Sequence, residues 1–208
     1  MYEMQEYFKF LVPIVTFGLG VWATPLIESR KEKAKAKTVH SNLIVEIEDE
    51  LSELPKRLIK MAETLCNLIC LKAGEPKIGS PWKYVPRNTS CYFLKPAIDS
   101  SFRLFDKKQR YAIKSLLVQI GAIDDYIKSI KETKISDDTI DEAINNCKRY
   151  LYTGSCMFNT MRIIAKDSKA NFNTDDKEVI KEIFRELEID LSADDLIIKG
   201  TVKFEKIG

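Results

Sequence analysis

The sequence predicts a mainly α protein: an N-terminal transmembrane helix, then a cytoplasmic helical bundle of three long helices and a shorter one, then a short β-like C-terminal tail. Three observations carry this. An uncharged apolar run spans Phe10–Ile27, apolar residues repeat at 3-4 spacing from Ile44 onward, and clusters of Pro and Gly separate the helical stretches.

The first element is the run itself. Phe10–Ile27 holds eighteen residues without a charge. With Lys9 snorkelling, the segment extends back to Tyr7 and reaches the ~20 residues a bilayer-crossing helix needs. Glu3, Glu6 and Lys9 precede it, whereas Arg30, Lys31, Lys33, Lys35 and Lys37 follow it. That bias places the N-terminus outside and everything after Arg30 in the cytoplasm, with the basic residues against anionic headgroups. A cleaved signal peptide, with Val21 and Ala23 as small residues, competes with this reading. Its start should be net positive, and here it carries two Glu. A buried apolar helix or hairpin is the remaining alternative. Within the run, Thr16, Gly20 and Thr24 repeat every four residues, a small-residue face that permits close helix packing.

The domain organisation follows: an anchor over 1–29, a basic juxtamembrane segment over 30–40, a bundle over 41–190 and an extended or hairpin-like tail over 191–208. Removing the six basic and four acidic residues of 1–37 leaves 27 of each sign in 38–208, so the bundle is formally neutral and the chain's net +2 belongs to the first segment. Neutrality argues against a phosphate-backbone binder, which shows a basic excess. About 170 residues beyond the anchor suffice for one full hydrophobic core.

Ile44, Ile47, Leu51, Leu54, Leu58, Met61, Leu65 and Leu68 form one apolar seam on a long helix. Pro55 does not shift its phase and reads as a kink in a continuing helix. Emerging beside a membrane, these heptads also suit a parallel homo-oligomeric stalk. Residues 73–99 carry Gly74, Pro76, Gly79, Pro81, Pro86 and Pro96 and read as a long ordered loop. A second seam runs through Ile113, Leu116, Ile120, Ile123, Ile127 and Ile130. A third helix, capped near Ser136 or Asp138, presents Ile140, Ile144, Cys147, Leu151, Gly154, Phe158, Met161 and Ala165. Thr174 is the expected cap of a shorter helix through Val179, Ile180, Ile183, Phe184 and Leu187. The stretch Leu196–Lys206, broken at Gly200, reads as two short strands or an extended segment.

Catalytic constellations are mostly missing. His40 is the one histidine, beside the membrane at a helix start, and reads as an exposed polar residue. It cannot supply the Glu-x-x-His pairs of di-iron bundles. The helical-bundle ribonuclease pattern needs an Arg four to six residues before it, where Ala34, Lys35 and Ala36 stand. Cys66 and Cys70 lie one turn apart, but zinc would need two further ligands from Cys91, Cys147 or Cys156. All five thiols read as reduced and mostly buried. Asp167, Asn171, Asn173, Asp175 and Glu178 approach a calcium-loop pattern that Lys169 and Phe172 break. No metal or cofactor is therefore expected.

One loop resists a bland reading. Trp82, Lys83, Tyr84, Arg87, Tyr92 and Phe93 interleave aromatic and basic side chains, as recognition surfaces do. The alternative is that Trp82 and Phe93 pin the loop to the bundle. The expected function is a membrane-anchored, cytoplasm-facing interaction protein with the bilayer and a protein partner, or itself, as partners. A self-oligomerising membrane effector, such as a toxin-like defence component, is the second hypothesis, and a nuclease with an unrecognised site is the third. The lysine-, isoleucine- and asparagine-rich composition sits with a bacterial inner-membrane protein.

Overall fold

The computed structural model describes residues 2–74, 83–172 and 175–198, with the side chains of 2–12 and of Ile14 left out. Its first element, α1, runs without interruption over Tyr2–Lys72. At 1.5 Å per residue it is about 107 Å long. Pro13, Pro25 and Pro55 all lie inside it, and none ends it. Among the described side chains of α1 burial begins at Val39, and the core residues lie in its C-terminal half.

That half contributes Val39, Leu43, Ile47, Leu54, Leu58, Met61, Leu65 and Leu68, spaced so that each returns to the same face after one or two turns. They pack on α4 (Ile140–Ala165), the centre of the bundle, which also packs on α3 (Lys107–Glu132). α4 is buried on nearly all sides, as a helix sandwiched by two others must be. Gly154 lets α1 approach: a Cβ there would lie 2.9 Å from Leu58 Cδ2. α5 (Asp176–Glu186) covers the end of α4 with Val179, Ile180, Ile183 and Phe184.

Local chemistry sets the ends. Asp106 and Gln109 form a reciprocal capping box at the start of α3. Gln109 Nε2 then donates to Ile164 O at 2.7 Å, satisfying a carbonyl at the end of α4. α4 and α5 both finish on a left-handed residue, Lys166 and Glu188. Asp167 N–H donates to Arg162 O and Ile189 N–H to Phe184 O, both at 2.9 Å, the 6→1 bonds of a Schellman ending.

The bundle expected from the apolar seams is present, whereas other expectations need correction. Among the described residues no helix is long and apolar enough to cross a membrane. The described apolar stretch begins only at Val15, because the side chains of Phe10, Leu11, Val12 and Ile14 lie outside that set. The tail is not β-like where it is described: Ala193–Leu196 is a 3-10 turn capped by Ser192, and Leu196 is buried. No strand occurs among the described residues. Residues 199–206, the rest of the expected strands, lie outside them. The loop expected over 73–99 is shorter, because α2 (Leu94–Pro96) and the start of a π-helical turn at Ala97–Ser101 occupy its end, with a 3-10 turn at Phe102–Leu104 following. His40 is half-buried and rests on the Phe105 ring at 4.5 Å, not exposed. Thr174 lies outside the described residues; Asp175 caps α5 by accepting from Lys177 N–H.

Candidate functional site

The N-terminal half of α1 stands apart from the rest of the molecule in one respect. Val15, Phe17, Leu19, Val21, Trp22, Leu26 and Ile27 are all at least half exposed. At about 100° per residue they point to every side of the helix, so no single apolar stripe faces the bundle. Thr24 Oγ1 donates to Gly20 O at 2.7 Å, which removes that hydroxyl's need for an outside partner. A Cβ at Gly20 or Gly18 would meet nothing within 4 Å. Thr16, Gly20 and Thr24 thus share an exposed flank.

Arg30, Lys31, Lys33, Lys35 and Lys37 follow on the same helix, all exposed. From Ile27 to the first core residue, Val39, the helix rises about 18 Å. The five cations fill that interval. A rod of apolar, then basic, then core-forming character is continuous in one backbone.

The aromatic–basic loop is used mainly for internal contacts. Trp82 lies outside the described residues. Lys83 Nζ donates to Lys131 O at 3.0 Å and Thr133 O at 2.6 Å, closing the C-terminus of α3. Tyr84 packs against the core under Lys60, whose ammonium sits 5.6 Å from its ring centre. Phe93 also packs on the core, and the Glu46 carboxylate accepts from Tyr92 N–H (3.0 Å) and Phe93 N–H (2.8 Å). Arg87 and Tyr92 remain with exposed side chains, 86% and 79%. Among the five described residues of the set, those two are the ones most open to a partner.

Two arginines are buried, with no hydropathy signal in the sequence to mark them. Arg57 lies in the α1 seam, pairs with Glu50, and donates to Arg87 O (3.3 Å) and Thr89 Oγ1 (3.4 Å). Arg162 near the end of α4 donates to Glu186 at 2.8 Å and stacks on Phe158, its guanidinium carbon 4.2 Å from the ring centre. Lys169 shares the same Glu186 oxygen at 2.8 Å. The Arg162 guanidinium, helped by Lys169, holds the Glu186 carboxyl down at about 2. Neither arginine left a signal, because a lone Arg on a helix reads as surface.

The cysteines are free, with Cys66 exposed and Cys147 buried. Burial pushes Cys91, Cys147 and Cys156 up to about 12, so these thiols stay protonated at neutral pH. Among the described residues no group of three or more His, Cys, Asp or Glu could hold a metal ion. Compared with known families, characterised proteins and solved structures, the chain matches no family model, no protein and no structure.

Proposed function

We propose that this chain is a membrane-held helical interaction protein. The N-terminal half of α1 inserts into a bilayer with its start outside, the basic belt rests in the cytoplasmic headgroup layer, and the bundle presents itself to a protein partner. The observation that carries this is the all-round exposure of apolar side chains from Val15 to Ile27. Such a helix needs apolar surroundings on every side, and lipid supplies them without a dedicated groove. The sequence adds Phe10–Ile14 to the same uncharged run. Thr24 donating back to Gly20 O suits a medium with no water to bond it. Arg57 and Arg162 are turned to carboxylates and carbonyls of this chain, a structural use that favours binding over catalysis.

The test is flotation of the full chain with lipid vesicles. The wild type is expected at the top of the gradient and in the carbonate-resistant membrane fraction. Each arginine at the centre of the segment costs about 2.5–3.5 kcal/mol of insertion. Leu19→Arg with Val21→Arg should therefore leave the chain in the soluble fraction. Equal retention of that variant in the membrane overturns the reading. For orientation, a Cys placed at Glu3 should react with an impermeant maleimide in intact cells, and Cys66 only after lysis.

Self-association through Thr16, Gly20 and Thr24 is the second reading, supported by the open space around Gly20. Gly20→Ile should break a crosslinked dimer in detergent; an unchanged dimer removes this interface.

A further inference from the structure

A groove of about 480 Å³ runs between α1 and the segment after α5. Its floor is apolar: Ile59 and Ala62 on one side, Ile189 and Leu191 on the other. Its charges all have one sign, from Glu63 on α1 and Glu188 and Asp190 opposite, and no Lys or Arg lines it. Cys66 borders it and reports that field: burial raises its thiol pKa, and Cys70, Asp190 and Asp195 raise it further.

Asn67 is the second, independent feature. It is 8% exposed and lines the groove. No described residue hydrogen-bonds its side chain, which is turned to the groove. Its polar atoms are open to the groove, where a polar group of a ligand would take the place of water on them. By contrast, the buried amides of Gln109 and Asn159 are fully engaged, with Ile164 O and with Asn171.

We infer that this groove binds a small organic cation, an amine whose apolar body lies on the Ile59–Ala62–Ile189–Leu191 floor. Its ammonium sits among Glu63, Glu188 and Asp190, and Asn67 accepts from it through the amide oxygen. The volume lies in the range of small-molecule sites, about 300–1,000 Å³. The uniform acidic lining selects the charge, and the apolar floor excludes fully hydrated inorganic cations. The site is independent of the membrane segment, which ends twelve residues before the core starts.

The experiment uses the full chain in detergent and 4-phenylbutylammonium as probe. Its neutral and anionic isosteres, 4-phenylbutanol and 4-phenylbutyrate, are the controls. Binding is read by saturation-transfer NMR and by protection of Cys66 from a maleimide, with Cys66→Ser as background. The amine should saturate near or below about 1 mM and bind at least about tenfold tighter than the alcohol. It should also slow Cys66 labelling, and Glu188→Gln with Asp190→Asn should weaken it about tenfold. Equal affinity for amine and alcohol overturns the inference, as does failure of the amine to saturate or to protect Cys66. Those comparisons need only the wild-type protein, so they hold even if a variant misfolds.

Discussion

Arg57 and Glu50 face each other two turns apart on α1, inside the seam that packs on α4, with side chains only 8% and 18% exposed. The pair also reaches outward, because the Arg57 guanidinium donates to Arg87 O and Thr89 Oγ1 and so holds the loop against the helix. Removing the carboxylate charge alone leaves a buried cation unpaired. Glu50→Gln should destabilise the fold by about 3 kcal/mol. The double replacement Glu50→Leu with Arg57→Met should recover most of that loss, since apolar pairs of similar size often match a buried ion pair. The loop would still lose its pin. Urea midpoints check the first two outcomes, and faster tryptic cleavage at Arg87 in the double variant checks the third.

Gly154 on α4 and Leu58 on α1 meet where the two helices pack. A methyl at position 154 meets the far end of Leu58 at 2.9 Å. Ala gains about 1 kcal/mol in helix propensity over Gly, which offsets a small shift of Leu58. Gly154→Ala should thus stay within about 1 kcal/mol of wild type. Gly154→Val adds branches that the fully buried Leu58 cannot avoid and should cost about 2–3 kcal/mol. Pairing Gly154→Val with Leu58→Ala should restore part of it. Chemical denaturation of the four proteins decides the matter.

Glu186 offers a pH-dependent handle on the α4–α5 contact. Its pKa is lowered to about 2 by the Arg162 guanidinium, with Lys169 adding to it. A carboxylate depressed in the folded state contributes stability above its unfolded pKa and loses it as pH falls through the folded value. The contribution is therefore complete at neutral pH and fades between about pH 5 and pH 2. The side chain is 31% exposed, so solvent screening reduces it to about 1–2 kcal/mol. Glu186→Gln should be less stable than wild type by that amount at pH 7 and nearly equal at pH 2. A difference that persists unchanged at pH 2 would contradict the assignment.

The helices were legible because a seam repeats, and the seam on α3 is buried nearly as spaced, with Ile120 at its margin. On α1 the buried face begins before Ile44, the first residue of the apolar seam. Val39 and Leu43 are buried while Ile44 and Leu51 are only partly so, since the true face drifts relative to a strict heptad. Glu50 and Arg57 occupy seam positions, and no hydropathy pattern can find a core position filled by a charge. In the tail, Leu196–Ile198 suits the start of a strand, yet the Ser192–Asp195 capping box winds Ala193–Leu196 into a 3-10 turn. The groove could not be read from sequence at all. Glu63 and Asn67 are more than a hundred residues from Glu188 and Asp190, and only the docking of α5 brings them together.

Glu188 joins that groove to the ending of α5. It sits at φ +54°, in the left-handed region, at the position where a Schellman ending normally has Gly. A side chain there costs about 1–2 kcal/mol. Ile189 N–H to Phe184 O holds the turn in place, and both residues are buried, so the backbone cannot relax elsewhere. Glu188→Gly should raise stability by about 0.5–1 kcal/mol, the relieved strain less the extra freedom of the unfolded chain. Glu188→Val, branched at Cβ, should lower it by about 1–2 kcal/mol. Retaining a charged residue where glycine is more stable makes sense if the carboxylate is used. The same Glu188→Gly protein should then bind 4-phenylbutylammonium about threefold to tenfold more weakly while unfolding at higher urea. Parallel titration and denaturation of this one variant separate the two effects, since a purely structural role for Glu188 would leave amine affinity unchanged.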